Sequence, residues 1–204
     1  MILLLGFTPR AAAKDPRPNI LFIIADDQSP FDLKVYNSKS ELQTPNIDRL
    51  AEGGMVFDSV HHMGAWVGGV CTPSRHMNMS GRTLWHIPDK PGRIMNPHVT
   101  NPRKVPPDLA KYTLPAVFNR AGYATMRTCK NGNSYEAANR LFQVRRDGTR
   151  RGASDEKGST WHAKQVLDYL DERVAAKDKK PFPVSYTHLR AHETEADLVC
   201  RLLV

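Results

Sequence analysis

One short segment of the sequence combines a nucleophile with an anion-binding side chain at helical spacing. Residues 67–83 read VGGVCTPSRHMNMSGRT, with Cys71 placed one helical turn before Arg75. Pro73 favours the start of a helix, and Gly81 favours its end. A thiolate at a helix start is stabilised because backbone N–H groups there face negative charge. The planar guanidinium of Arg75 suits a sulfate or phosphate oxyanion, so the segment predicts chemistry on such a group.

The residues alone leave two other interpretations of Cys71 open. It could be a buried structural thiol beside a surface arginine. It could also form a disulfide with Cys129, although sequence spacing does not establish such a pair.

Charged residues also follow two predicted strands. Asp26 and Asp27 come directly after the apolar run Asn19–Ala25, and Lys130 follows the predicted strand Tyr123–Cys129. Two carboxylates at a buried strand end would suit a hard divalent cation, although solvated turn aspartates are the alternative. In a parallel sheet these strand ends meet at the edge where ligands bind, which predicts one common site.

The pattern of apolar residues and helix signals predicts alternating strands and helices. Such alternation indicates an α/β fold with a largely parallel sheet flanked by helices. The predicted elements are a strand at Asn19–Ala25, a helix from Pro45 with Thr44 as its N-cap and Gly53 at its end, a strand at Met55–Val60, a helix from Pro73 to Gly81, a helix at Leu114–Ala121, a strand at Tyr123–Cys129, an irregular excursion at Leu141–Lys157, and a helix at Thr160–Ala175.

Composition and the first residues bear on the compartment. The 204 residues carry a net charge of +8, but the basic residues are scattered, so no nucleic-acid-binding stripe is expected. No apolar run reaches the roughly 20 residues that span a bilayer. Residues 1–17 combine a short apolar run with Ala11-Ala12-Ala13, as in a secretory signal peptide that lacks its charged start. We therefore expect export to the periplasm or the extracellular space, with a frayed terminus of a cytosolic protein as the alternative.

Residues 184–204 have a different predicted origin. A DNA string that resembles the transposase adapter of a sequencing library encodes Val184 to Thr194 in order, and a second constant piece encodes Asp197 to Leu203. Both pieces lie in one frame, with the gap that a sample index would fill. We therefore expect translated adapter at residues 184–204 and native protein at 18–183.

Four motifs, in one order along the chain, resemble type I sulfatases, the formylglycine-dependent members of the alkaline-phosphatase-like superfamily. Together they cover about residues 18–130. The motifs are Cys71-Thr72-Pro73-Ser74-Arg75 with Ser80-Gly81-Arg82, Asp26-Asp27 after an apolar strand, Thr44-Pro45-Asn46-Ile47-Asp48-Arg49-Leu50-Ala51, and Thr113-Leu114-Pro115 with Ala121-Gly122-Tyr123-Ala124-Thr125.

The resemblance implies an alkaline-phosphatase-like sandwich, incomplete in this chain, and a sulfatase site. A maturation enzyme would convert Cys71 to formylglycine, whose hydrate attacks sulfur and later expels sulfate. Asp26, Asp27 and the modified Cys71 would bind a divalent metal, calcium first and magnesium as the alternative. Arg75 and Lys130 would stabilise charge on the transferring group. The implied substrate is a sulfate ester, either a small molecule or a polysaccharide.

One departure from the family pattern concerns the lysine. The family usually has a histidine two residues after it, whereas this chain reads Lys130-Asn131-Gly132-Asn133. The histidine role is therefore unassigned. The family's remaining metal ligands lie later in such proteins and the predicted sheet is unfinished, so we expect these 204 residues alone to be inactive. The rival functions are hydrolysis of phosphate or phosphonate monoesters on the same fold, and a non-catalytic thiol or binding protein that uses Cys71.

Overall fold

The computed structural model describes residues 17–25, 28–61, 63–65, 70–83, 110–130, 135–148 and 158–188. The expected signal peptide, apart from Arg17, and the carboxylates Asp26 and Asp27 lie outside these ranges. So does the predicted tail beyond His188.

The described residues form one four-stranded parallel sheet. Its strands are β1 (Ile20–Ala25), β2 (Met126–Lys130), β3 (Val144–Gly148) and β4 (Pro183–His188). The order across the sheet is β1-β4-β2-β3, and every pairing is parallel. The expected α/β fold with a parallel sheet is confirmed.

Helices cover both faces of this sheet. The helices are α1 (Pro45–Gly53), α2 (Cys71–Ser80), α3 (Leu114–Arg120), α4 (Glu136–Asn139) and α5 (Ser159–Ala175), with a short 3-10 turn at Pro30–Asp32. None of the described helices is both long and apolar enough to cross a membrane.

Two apolar clusters show which helices lie on which face. Side chains of successive strand residues point to opposite faces. Leu21 of β1 packs with Met126 and with α5, whereas its neighbour Phe22 packs with Met79 of α2 and Phe142. The layer of α2 and α4 therefore lies on one face of the sheet, and α5 lies on the other.

Several predicted boundaries agree closely with the structure. The helices predicted at Leu114–Ala121 and Thr160–Ala175 are observed with ends shifted by one residue. The helix predicted from Pro45 is also present, but its expected cap differs. The Thr44 hydroxyl makes no capping bond and instead donates to the Asp48 carboxylate at 3.2 Å.

One predicted strand is absent, and one segment predicted to be irregular contains a strand. Residues Met55–Val60 form no strand, and the side chains of Met55 and Val60 are 78% and 77% exposed. A strand needs a neighbour for its backbone groups, and this segment pairs with none of the described strands. Conversely, Val144–Gly148 lies in the segment expected to be irregular but forms β3. Its side chains are mostly charged, yet pairing with β2 provides hydrogen-bond partners for its backbone N–H and C=O groups.

Strand β1 is also less buried than its apolar sequence predicts. Ile23 is 38% exposed, and β1 is an edge strand among the described strands. The expectation of a strand buried on both faces is therefore wrong for this part of the fold.

Strand β4 crosses the predicted start of the adapter-derived tail. It begins at Pro183 and includes Val184–His188, pairing with both β1 and β2. Backbone pairing places few demands on side-chain identity, so this strand does not test the origin of residues 184–204. The adapter assignment stays a prediction.

A buried tyrosine gives a first prediction on stability. The Tyr135 side chain is 7% exposed, and its hydroxyl has no hydrogen-bond partner in the described structure. Burial raises the pKa of Tyr135 to about 12, partly opposed by the positive charge of Arg82. Because the unfolded chain ionises near pH 10, the free energy of unfolding should fall as pH rises from about 10 to 12.

The variant Tyr135→Phe removes both the hydroxyl and this titration. We expect it to be about as stable as the parent at pH 7, or up to about 1 kcal/mol more stable, because no hydrogen bond is lost. Its advantage should grow between pH 10 and 12, measured by urea unfolding against Tyr112→Phe, where the parent residue is 61% exposed. A constant difference across this pH range would contradict the assignment.

Candidate active site at the start of helix α2

Helix α2 begins at the cysteine of the motif rather than at its proline. Cys71 is the first helical residue, and the first intrahelical bond runs from the Ser74 N–H to the Val70 carbonyl at 3.0 Å. Pro73, predicted to start the helix, occupies the third position and is buried. The first N–H groups of a helix have no partner within it, so a proline there costs no hydrogen bond.

The two ends of α2 are suited to different tasks. Val70 is the N-cap residue and makes no side-chain capping bond, and the helix dipole favours negative charge at this end. At the other end Gly81 adopts a left-handed φ of 64°, and its N–H donates to the Met77 carbonyl at 2.9 Å. Glycine takes this conformation without steric cost, which explains the sharp end of the helix.

The predicted nucleophile and anion-binding residue lie on neighbouring turns of α2. Cys71 is half-buried, and Arg75 is 4% exposed. Positions four apart lie on the same side of a helix. A charge held in so buried a place acts more strongly than one in water, since the local dielectric is lower.

The disulfide interpretation of Cys71 does not match the structure. Neither Cys71 nor Cys129 is part of a disulfide, and Cys129 is 1% exposed within β2. The two residues lie in different layers of the fold, one in a helix and one in the sheet.

Lys130 lies at the carboxyl edge of the sheet. It is the last residue of β2 and pairs in register with Gly148, the last residue of β3. Ala25 ends β1 and pairs with His188. Only β4 separates β1 from β2, so the ends of these two strands lie about 10 Å apart along the same edge.

The expected metal ligands fall at the same edge by sequence. Asp26 and Asp27 follow Ala25 but lie outside the described residues. Within the described ranges, no group of three or more His, Cys, Asp or Glu side chains is gathered as a metal site would require. The structure therefore locates the strand end that precedes the carboxylates, and the ligand set stays a prediction.

Helix α2 and this edge are related by packing. Met77 and Met79, in the last turns of α2, belong to the cluster that contains Phe22, near the beginning of β1. Because the last turns of α2 lie near the beginning of β1, we expect the start of this helix to lie toward the carboxyl edge. We therefore expect Cys71 and Arg75 to face the same region as Asp26, Asp27 and Lys130.

Two buried histidines were missed in the sequence. His76 is 4% exposed and lies against Tyr135 with ring centroids 4.6 Å apart. His162 is fully buried in α5 and contacts β2. The available signal was weak, because each is a single histidine within a predicted helix, with no second ligand or partner at a recognisable spacing.

Comparison with known proteins identifies the family. A sequence model of the sulfatase family matches residues 18–197. The N-acetylgalactosamine-6-sulfatase of Canis lupus familiaris is 33% identical over 133 residues, which are 61% of this chain and 24% of that protein. The steryl-sulfatase of Homo sapiens is 46% identical over 66 residues, 32% of this chain and 10% of that protein. The chain thus spans at most about a quarter of these relatives.

Solved structures support the fold. A 2-O GAG sulfatase superimposes with a TM-score of 0.56 at 19% identity, covering 86% of this chain and 35% of that one. A second structure, of a Bacteroides thetaiotaomicron protein described only as a sulfatase, gives a TM-score of 0.60 at 18% identity and covers 86% of this chain and 36% of that one. At these identities the likeness establishes the architecture of the chain, which is that of the alkaline-phosphatase-like sandwich.

Proposed function

This chain belongs to the sulfatase family, and we propose on that basis that it forms part of the active site of a sulfuric ester hydrolase. The observation that carries the proposal is the placement of Cys71. It is a half-buried cysteine at the first residue of a helix, outside any disulfide, with a buried arginine one turn later.

The segment around Cys71 fits conversion to formylglycine. The chain keeps the Cys-x-Pro-x-Arg pattern that the maturation enzyme would read, and the thiol is not consumed in a disulfide. Cys71 begins the helix, where the helix dipole favours negative charge at the reacting position. When formed, the hydrated aldehyde supplies an oxygen nucleophile. An unmodified thiol or a simple alcohol at this position would not perform the same reaction.

The proposed metal site rests on donor chemistry. Asp26 and Asp27 offer carboxylate oxygens, which calcium prefers and magnesium also accepts. The metal would neutralise negative charge on the ester and favour the ionised nucleophile. Calcium is the first choice because it tolerates irregular sets of oxygen ligands.

Arg75 and Lys130 would bind and orient the sulfate group. The Arg75 guanidinium is held by burial, so its position is set before substrate arrives, and this lowers the reorganisation needed during reaction. Lys130 ends β2 at the carboxyl edge and would contribute a second positive charge from the sheet. Two cations from separate elements would balance the charge that develops on the sulfuryl oxygens.

We propose a sulfated carbohydrate as substrate, with a small aryl or alkyl sulfate as the simpler alternative. The names of N-acetylgalactosamine-6-sulfatase and the 2-O GAG sulfatase refer to such sugars. The net charge of +8 is compatible with an anionic polymer. The proposal includes a formylglycine-generating enzyme as a partner, because the site requires the modified cysteine. It also includes export, which residues 1–17 predict.

Relative turnover of aryl sulfate and aryl phosphate tests the proposal. The intact protein, produced with the maturation enzyme and calcium, is expected to have a kcat/KM at least about tenfold higher for the sulfate. Faster hydrolysis of the phosphate or phosphonate would instead favour the rival hydrolase activity.

Mass spectrometry of the peptide that contains Cys71 tests the non-catalytic alternative. Formylglycine at position 71 is expected after co-production with the maturation enzyme. An unmodified thiol, together with no turnover of either ester, would favour a thiol or binding protein.

A further inference from the structure

A buried histidine joins helix α5 to the end of strand β2. His162 and Thr128 are both 0% exposed, and a hydrogen bond joins the Thr128 Oγ1 atom to the His162 Nδ1 atom at 2.5 Å. Thr128 lies two residues before Lys130 on the same strand. The contact therefore joins α5 to β2 two residues before the lysine proposed to bind sulfate.

Strand β3 makes room for the same imidazole. A Cβ atom added to Gly148 would lie 2.9 Å from both the Cε1 and Nε2 atoms of His162, closer than real Cβ contacts allow. Gly148 is the register partner of Lys130, so the ring lies beneath the last residue pair of the two strands. Trp161 packs edge-on against the ring, with centroids 4.9 Å apart.

We propose that His162 is a positioning residue for the sulfatase site. Through its hydrogen bond to Thr128, it fixes the position and direction of the β2 backbone at the end that carries Lys130. The proposal rests on the function proposed above. His162 is fully buried and touches no substrate, so its effect passes through the backbone of residues 128–130. It also assigns a histidine role in a chain that lacks the usual histidine after the lysine.

The physical need for such a device comes from the lysine itself. A lysine side chain has four rotatable bonds, so its charge is placed accurately only if its backbone is rigid. Lys130 is the last residue of its strand and is followed by no further ladder bond in the described structure. A bond two residues earlier, shielded from water, stiffens this end without occupying the site.

Thr128 offers a matched pair of variants for the test. Thr128→Val keeps the shape and removes the hydroxyl, whereas Thr128→Ser keeps the hydroxyl and removes a methyl group. In the intact enzyme, assayed on whichever ester it turns over faster, we expect the valine variant to lose about 10- to 100-fold in kcat with KM changed less than about threefold. The serine variant is expected to stay within about threefold of the parent.

Cys129 provides a second readout that does not depend on catalysis. Its thiol is 1% exposed and lies between Thr128 and Lys130, so its labelling by a thiol reagent reports opening of this strand end. Labelling of Cys129 is measured in a Cys71→Ala background. We expect about tenfold faster labelling in the valine variant than in the serine variant, with unchanged far-ultraviolet circular dichroism.

The outcomes separate this inference from the proposed function. Unchanged Cys129 labelling and unchanged kcat in Thr128→Val would overturn the positioning role, as would an equal loss in both variants. Faster labelling in the valine variant would support the fixation of the strand end. If the parent protein, with Cys71 present and with the maturation enzyme supplied, hydrolyses neither ester, the sulfatase proposal fails while this inference stands.

Discussion

Replacement of Cys71 by alanine is expected to abolish ester hydrolysis by the intact protein, with kcat lowered by about a thousandfold or more. Cys71 begins α2, and the proposed nucleophile is derived from its side chain. Arg75 and the helix N-terminus would still bind the ester, so KM is expected to change much less than kcat. Steady-state kinetics on an aryl sulfate measure both parameters.

Two companion variants sharpen the result for Cys71. Cys71→Ser places a plain hydroxyl at the same position and is expected to be as inactive as alanine, if the maturation enzyme leaves serine unmodified. Cys129→Ala removes the other free thiol among the described residues, which has no proposed chemical role, and should keep activity within about threefold after a stability loss of about 1 kcal/mol. Substantial activity in Cys71→Ala would refute the proposed nucleophile.

Replacement of Met126 by alanine is expected to lower the free energy of unfolding by about 3 kcal/mol. Met126 is 0% exposed, and its strand pairs with β3 on one side and β4 on the other. Its side chain packs with Val166 and Tyr169 of α5 in the cluster on that face of the sheet. Truncation of the Met126 side chain leaves a cavity. Because β2 is hydrogen-bonded to a strand on each side, its backbone cannot readily shift to fill that cavity.

Met55→Ala is the matched control for Met126→Ala. The Met55 side chain is 78% exposed, so the same change of residue type is expected to alter the free energy of unfolding by less than about 0.5 kcal/mol. Urea unfolding of both variants, followed by circular dichroism, gives the comparison. Equal effects at the two positions would mean that the α5 cluster does not stabilise the fold as described.

Local patterns predicted the elements whose signals lie within a few residues. Pro45 marked the start of α1, and the apolar face from Trp161 to Leu170 marked α5. The Cys-x-Pro-x-Arg motif located the candidate nucleophile and its arginine correctly on α2, although the helix begins two residues earlier than its proline. These features depend on capping, proline geometry and helical periodicity, which act over one or two turns.

Strand pairing could not be read in the same way. Val144–Gly148 contains three charged residues yet forms β3, because β2 lies beside it and Asp147 pairs with the buried Arg127. Met55–Val60 has a strand-like sequence but no partner among the described strands. Whether a segment becomes a strand depends on a neighbour elsewhere in the chain, so local propensity decides little.

The sequence by itself determined the chemistry offered by this chain: a cysteine and an arginine one turn apart, paired aspartates after one strand and a lysine at the end of another. Only the tertiary structure decided which residues lie beside the lysine end of β2. Thr128 and His162 are 34 residues apart, and Gly148 lies on a third element. Their contact arises because parallel strands and a crossing helix bring distant residues together, and no periodicity along the chain encodes that meeting.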